Sequence, residues 1–269
     1  MPNRPITIYS EGEIRAIERA ADSQRAILRE LADAVVPGIQ TIELDALART
    51  LIARLGAEAL FEGYRQGGSP PFPSPVCVSV NDEVVHGIPG DRVIEAGDLV
   101  SIDVGIRLDG WCADSGTCVV AGGGAGEAAE LVAATRRVLD LAIESVRAGV
   151  RWSEIARELE RVTFGMGLGI VTQYVGHGIG RELHEPPKVP AFWEGFHGSD
   201  FTLEVGQVLA IEPILTGAKG KPGPARIRLA RDGWTVTTED GVLAAHEERM
   251  IVVEPGGARR LGVDPLLDV

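Results

Sequence analysis

The sequence predicts an α+β fold in a single domain, because helical and strand patterns alternate along its 269 residues without a linker. Ser10 and Glu13 form a capping-box pattern, and apolar residues then recur at helical spacing. Residues 98–105 and 114–121 read as two strands of a hairpin. A third observation is that several short motifs occur twice, in the same order.

The other elements follow along the chain. A second helix is expected with Thr41 as its N-cap, and a Gly/Pro loop at 63–75 precedes a strand at 76–80. Two further helices are predicted at 126–148 and 153–165, and the remainder reads as strands and loops.

The repeated motifs predict two related halves, at about 10–122 and 126–255, within one domain spanning 1–269. The segment at 36–48 resembles 148–160, residues 97–103 resemble 206–212, Asp109-Gly110-Trp111 recurs as Asp232-Gly233-Trp234, and His86-Gly87-Ile88 recurs as His177-Gly178-Ile179. A site shared by such halves would lie near their pseudo-symmetry axis, where Asp103 pairs with Glu212.

Composition narrows the function classes. A formal net charge of -13 argues against a nucleic-acid partner, because phosphate binding needs clustered Lys and Arg. No apolar run is long enough to span a bilayer, and the first ten residues contain no apolar signal core. Three cysteines are too few for a disulfide framework, so we expect reduced thiols in a cytoplasmic protein.

Carboxylates in apolar strand patterns are the strongest functional signal. Asp103 and Glu212 each end an apolar run, where an unpaired charge is costly to desolvate. Asp114 lies across the hairpin turn from Asp103, and two facing carboxylates repel unless a proton or cation lies between them. Glu248 precedes a further apolar run and is the candidate we choose. Its neighbour Glu247 remains an alternative, because a shift of one residue turns a side chain to the other sheet face.

A glycine-rich motif, GHGIGRELHE, contains His177 and His184, and its glycines give the backbone freedom to bring His177 close to a bound group. His197 has no such context and reads as a surface residue. The candidate metal ligands are Asp103, Asp114, His177, Glu212 and Glu248. This oxygen-rich set without thiolate predicts two divalent ions, of manganese, iron, cobalt or zinc, rather than a structural zinc site.

The motifs NDEVVHGIP, SIDVGIRLDGWCADSG, GHGIGRELHE, AIEPI and DGWTV together resemble type I methionine aminopeptidases over about residues 10–255. The resemblance implies the pita-bread fold, a pseudo-two-fold antiparallel sheet covered by two pairs of helices. Members of the family are mainly monomers, so a monomer is expected here. The resemblance also implies the same five metal ligands.

Further roles come from the resemblance alone. It implies that His184 contacts the scissile amide, that His86 lies near the substrate amine and leaving group, and that Glu212 is a general acid/base. The methionine pocket would be lined by four residues: Tyr64, Phe72, Cys77 and Trp234. Core packing remains an equal interpretation for Cys77.

This chain departs from the family pattern in three places. Residues 67–71 read as an insertion beside the pocket. The basic stretch 216–228 is longer than usual, and it is either a solvated loop, which we favour, or a contact with ribosomal RNA. Glu248-Arg249-Met250 stands where the family usually has EHT.

The implied function is removal of the initiator methionine from nascent proteins whose second residue is small. Two alternatives stay open. An Xaa-Pro aminopeptidase or dipeptidase often carries HEPP, as residues 184–187 do, but usually has a large additional N-terminal domain. A non-catalytic pita-bread binding protein would be expected to lose ligands, and every candidate ligand is present here.

Overall fold

The computed structural model describes residues 5–217 and 222–262, in which helices and mainly antiparallel strands alternate. The helices are α1 (Glu11–Asp33), α2 (Thr41–Leu55), α3 (Glu127–Ser145) and α4 (Trp152–Gly165). The strands are β1 (Glu58–Ala59), β2 (Cys77–Val80), β3 (Glu83–Val85), β4 (Leu99–Leu108), β5 (Trp111–Val120), β6 (Gly169–Ile170), β7 (Gly176–Gly178), β8 (Glu185–Val189), β9 (Val208–Ile211), β10 (Ile214–Thr216), β11 (Gly223–Pro224), β12 (Ile227–Leu229), β13 (Val236–Thr238), β14 (Ala244–His246), β15 (Arg249–Glu254) and β16 (Gly257–Arg260).

Helix α1 begins with the predicted capping box. The Ser10 hydroxyl accepts a bond from the Glu13 amide, and the Glu13 carboxylate accepts one from the Ser10 amide at 3.1 Å. The start of α2 differs by one residue from the prediction. Gln40 is its N-cap, whereas Thr41 is the first helical residue and its hydroxyl donates to the Gly90 carbonyl at 3.0 Å.

The hairpin β4–β5 is the centre of the first sheet. Its register places Asp103 opposite Gly116 and Asp114 opposite Gly105. The two carboxylates are therefore diagonal neighbours on the same face, because side chains in register positions two residues apart share a face. Strand β2 pairs with the other edge of β4 and sets Cys77 opposite Asp103.

The largest sheet of the second half has the order β16-β15-β9-β7-β8. Its central strand β9 is flanked by β7 and β15, both antiparallel, as β4 is flanked by β2 and β5. Of two smaller sheets, β12-β13-β3 joins the halves, because β3 comes from the first half, whereas β11-β6-β10-β14 lies within the second half. Descent of the two halves from one repeat stays a prediction.

The helices form two pairs that cover the sheets. Helix α1 packs on β4 and β5 and against α2, whereas α3 packs on strands of the second half and against α4. Each pair buries its own apolar cluster, one around Ile17, Leu28 and Ile102 and the other around Leu139, Trp152 and Leu209. Within residues 5–217 and 222–262, no helix is long and apolar enough to cross a membrane.

A buried ion cluster joins α3 to the segment between β14 and β15. Glu247 is fully buried, and its carboxylate lies 2.9 Å from Arg136 Nε and 3.5 Å from Arg249 Nη1. It also accepts a bond from the Cys118 amide at 3.0 Å. Arg249 in turn donates to the carbonyls of Gly116 and Glu248, each at 2.7 Å, so the cluster fixes this segment against β5.

Because removal of Arg136 leaves the buried Glu247 carboxylate with Arg249 as its cationic neighbour but without its shorter ion pair, we expect Arg136→Met to lower the free energy of unfolding by about 2 kcal/mol. The exposed pair Arg161–Glu158 provides the control, and Arg161→Met should cause no measurable loss. Urea unfolding in the presence of a chelator measures both. Equal stabilities for the two variants would contradict the expectation.

Candidate metal centre

Five acidic and imidazole side chains from distant parts of the chain line one cavity of about 590 Å³. Asp103 and Asp114 come from the hairpin β4–β5, and His177 comes from β7. Glu212 directly follows β9, and Glu248 directly precedes β15. The structure thus brings together all five residues that the sequence nominated, and Glu247 points to the opposite side, into the ion cluster.

The ligand atoms are close enough for a shared cation. One ligand atom from each of Asp114, His177 and Glu248 lies within 4.8 Å of the others. Glu212 Oε1 lies 3.9 Å from His177 Nε2, and Asp103 contacts Asp114 across the hairpin. The His177 Nδ1 atom lies 3.0 Å from the Gly178 carbonyl, which leaves Nε2 facing the carboxylates.

Several polar atoms in this cavity are buried without a hydrogen-bond partner in the part of the chain that the structure describes. They are Asp103 Oδ1, Asp114 Oδ1, Glu248 Oε1 and His246 Nε2. Buried polar atoms are normally paired, so orphaned oxygens that converge on one cavity need a ligand. Carboxylate oxygens and a neutral imidazole are suitable donors for a divalent metal ion, and the residues therefore fit one.

Burial and mutual repulsion govern the charges of these carboxyls. Desolvation, followed by repulsion from neighbouring carboxylates, raises the pKa of Asp103 and of Glu248 well above the usual range. Desolvation also raises the pKa of Asp114 to about 6, against the opposing attraction of His177. For Glu212, burial is outweighed by contacts with His246 and other histidines, so that its pKa is lowered.

His86 and His184 lie in the same cavity as neutral imidazoles at neutral pH. Desolvation lowers the pKa of each to about 4, and His177 adds to the shift at His184. The His184 ring lies 4.5 Å from that of His177, and its Nδ1 atom is 3.2 Å from the Tyr64 hydroxyl. The His86 ring contacts the edge of Tyr174, with 5.1 Å between ring centroids.

An apolar pocket adjoins the metal ligands. Phe72, Cys77 and Trp234 form a buried cluster against which Tyr64 packs, so the four residues nominated for the methionine pocket lie together. The predicted insertion 67–71 packs against this cluster. The Trp234 indole donates to the Pro70 carbonyl at 2.8 Å, and Ser69 donates to the Gly233 carbonyl at 2.8 Å.

Sequence reasoning missed His246, which is buried beside the metal ligands. Its Nε2 atom lies 3.5 Å from Glu212 Oε2 and 3.9 Å from Glu248 Oε2. The signal was its position two residues before Glu248, which places both on one face of an extended segment. Tyr174 and Lys188 also line the cavity and were not nominated.

The segment that precedes α1 holds the loop between His177 and His184. The Tyr9 hydroxyl donates to Glu185 Oε2 at 2.8 Å, and the other carboxylate oxygen accepts a bond from the Arg181 amide at 2.9 Å. The Arg181 guanidinium lies 3.5 Å from the ring centre of Trp111, a close cation–π contact. This loop is thus connected to both the N-terminal segment and the hairpin.

The basic stretch 216–228 is only partly described. Residues 222–228 include β11 and the first two residues of β12, which pairs with β13. Residues 218–221, which contain two of its basic side chains, lie outside the described residues.

Comparison with known proteins identifies the family of this chain. The model of metallopeptidase family M24 matches residues 15–255. A methionine aminopeptidase of Aquifex aeolicus is 38% identical over 258 residues, covering 94% of this chain and 96% of that one. Methionine aminopeptidase 1 of Mycobacterium tuberculosis is 39% identical over 265 residues, covering 96% of this chain and 95% of that one.

Solved structures show the same relationship. A methionine aminopeptidase of Thermotoga maritima has a TM-score of 0.87 at 34% identity, covering 97% of this chain and all of that one. An Xaa-Pro dipeptidase of Bacillus anthracis has a TM-score of 0.72 at 20% identity and shares the fold, but this chain covers only 62% of it. The predicted α+β pita-bread fold is confirmed. The chain therefore belongs to metallopeptidase family M24, among its methionine aminopeptidases.

Proposed function

We propose that this enzyme removes the initiator methionine from nascent proteins whose second residue is small, with the five clustered side chains holding two divalent metal ions. The observation that carries the proposal is one cavity in which orphaned carboxylate oxygens lie next to an aromatic pocket. The first feature fits cations, and the second fits a methionine side chain.

The number of ions follows from the size and charge of the ligand set. Four carboxylates and one imidazole offer more donor atoms than one ion needs, and carboxylates can bridge two ions. The oxygen and imidazole ligands suit manganese, iron, cobalt or zinc. When bound, such ions lower the pKa of a water molecule and polarise the scissile carbonyl.

The residues of the chain then carry out proton transfer and orientation. Glu212, whose pKa is lowered, is ionised and accepts the proton of the attacking water as general base. As general acid it then returns this proton to the leaving amine when the C–N bond breaks. Neutral His184 donates a hydrogen bond to the carbonyl oxygen as negative charge develops there. In this mechanism the Tyr64 hydroxyl, 3.2 Å from His184 Nδ1, is the donor of the bond between them and so keeps the proton on Nε2. His86 lies near the substrate amine and the leaving group.

The apolar pocket accounts for selectivity at the first residue. The aromatic rings of Phe72, Trp234 and Tyr64 and the thiol of Cys77 give a polarisable wall that suits a thioether side chain. Burial raises the pKa of the Cys77 thiol, which therefore stays neutral and presents no charge to the methionine.

The proposed setting is the cytoplasm, where nascent chains expose their N-termini and the enzyme acts as a monomer. The three buried cysteines are all free, which agrees with a reducing compartment. Of the two interpretations of residues 216–228, the solvated loop remains the one we favour over contact with the ribosome.

A peptide panel tests the substrate class. We expect Met-Ala-Ser to be cleaved and Met-Leu-Ser to be cleaved roughly 100-fold more slowly, because the larger second side chain disturbs placement of the scissile bond. The measurement is kcat/KM by chromatographic detection of free methionine, with chelator-stripped enzyme as control. Preferential cleavage of Ala-Pro-Ala would instead indicate an Xaa-Pro enzyme, and absence of any cleavage with metal bound would indicate a binding protein.

The role of Glu212 is tested by Glu212→Gln, which keeps the shape of the side chain and removes the base. We expect kcat to fall by about 10²- to 10⁴-fold in buffer that contains saturating metal. The metal content of the purified variant, determined by elemental analysis, separates loss of the base from loss of the ions. Turnover near that of the wild type would refute the assigned role.

Removal of the metal exposes the repulsion among the carboxyls. Because the folded-state pKa of Asp114 is about 6 rather than 3.8, its ionisation destabilises the stripped protein. The stability contributed by the protonated Asp114 carboxyl is fully present below pH 3.8 and is lost as the pH rises through about 6. Stripped Asp114→Asn should therefore lose less stability than the stripped wild type over this window. Urea unfolding midpoints at several pH values measure the difference, and parallel curves would contradict it.

A further inference from the structure

His246 occupies a position that the ligand set does not explain. The residue is 3% exposed and lines the same cavity as the metal ligands. Its Nε2 atom faces two carboxylates, Glu212 Oε2 at 3.5 Å and Glu248 Oε2 at 3.9 Å. A buried ring nitrogen in such a place either donates a hydrogen bond or coordinates a metal ion.

The backbone of His246 is held by two hydrogen bonds, and its ring lies in a space left by a glycine. Its backbone amide donates to Ser101 Oγ at 3.4 Å, and its carbonyl accepts a bond from the Cys118 thiol at 3.2 Å. The ring lies over Gly116, where an added Cβ would be 3.2 Å from His246 Cε1 and 3.3 Å from Nδ1. Glycine at this position of β5 leaves the space that the imidazole needs.

The two oxygens of Glu212 have different neighbours. Oε1 faces His177 Nε2 at 3.9 Å, whereas Oε2 faces His246 Nε2 at 3.5 Å. His246 therefore supplies a donor on the side of the carboxylate away from His177. A carboxylate held from one side can turn about its terminal torsion, which is soft, and a donor on the other side restricts that rotation.

We propose that His246 is a positioning residue for Glu212, donating a hydrogen bond from Nε2 to Oε2 and so orienting the carboxylate that accepts the water proton. The proposal rests on the role of Glu212 in the proposed function. A distance of 3.5 Å is long for this bond, but catalytic hydrogen bonds commonly shorten when the site is loaded.

The alternative role, a sixth metal ligand, can be separated from positioning by choice of variant. A Gln amide nitrogen reaches about as far from the backbone as His Nε2 and donates a hydrogen bond, but it is a weak metal ligand. Asn is polar but shorter and cannot reach Glu212. Leu fills the volume and cannot donate.

We would measure kcat and KM on Met-Ala-Ser, and Mn²⁺ affinity by titration calorimetry of chelator-stripped protein, for His246→Gln, His246→Asn and His246→Leu. Loss of an outer-shell donor typically costs about 10- to 100-fold in activity. We expect Leu and Asn to lose this much in kcat with little change in KM, and Gln to recover most of it. Glu212→Gln, measured in parallel, shows independently whether the base assignment holds.

Gly116→Ala gives a second approach that leaves the histidine in place. Its added methyl group would displace the His246 ring, so kcat should fall by a similar factor, and the change should have no further effect in the His246→Leu background. Additive losses, or full activity in His246→Leu, would overturn the proposal. Equal loss of Mn²⁺ affinity in Gln and Leu variants would also overturn it, because that result identifies a direct ligand. Circular dichroism of each variant excludes unfolding as the cause.

Discussion

The architecture depends on one electrostatic constraint, the confinement of four carboxyls inside the apolar interior of a folded sheet. Such groups repel one another and are poorly solvated, so they are tolerated only with protons or cations between them. In the hairpin β4–β5, glycines provide the space that these carboxyls and their neighbours need. Asp103 and Asp114 each stand opposite a glycine on the neighbouring strand. Gly105 leaves room for the Phe61 ring, and Gly116 leaves room for His246.

Local sequence patterns predicted the parts of the fold that are governed by local physics. The capping box at Ser10 and the hairpin formed by residues 98–105 and 114–121 depend on residues close together in the chain, and both were predicted. The ligand set was predictable because charges that end apolar runs are conspicuous in any sequence. His246 was missed because its importance depends on packing over Gly116, which lies 130 positions earlier in the chain. The Thr41 cap was misplaced by one residue, since its hydroxyl bonds instead to the distant Gly90.

The segment from His246 to Arg249 consists of four polar or charged residues, yet all four are buried. Alternation explains why this is possible. His246 and Glu248 face the cavity, whereas Glu247 and Arg249 face the ion cluster with Arg136. One face of this extended segment thus contributes side chains to the site, and the other face holds the segment in place through the ion cluster. Because the charges on both faces have partners, four consecutive polar residues are tolerated in the core.

The contact between Tyr9 and Glu185 limits how the N-terminal segment can be shortened or fused to a tag. The few residues ahead of the first helix are usually the part of a domain that can be trimmed or fused without effect. Here that stretch is fastened to the turn leading to His184, and a Cβ at Gly180 would overlap the tyrosine hydroxyl, so the two surfaces fit closely. A recombinant design that removes Tyr9, or that draws it away with a bulky tag, would loosen the active-site wall from a distance.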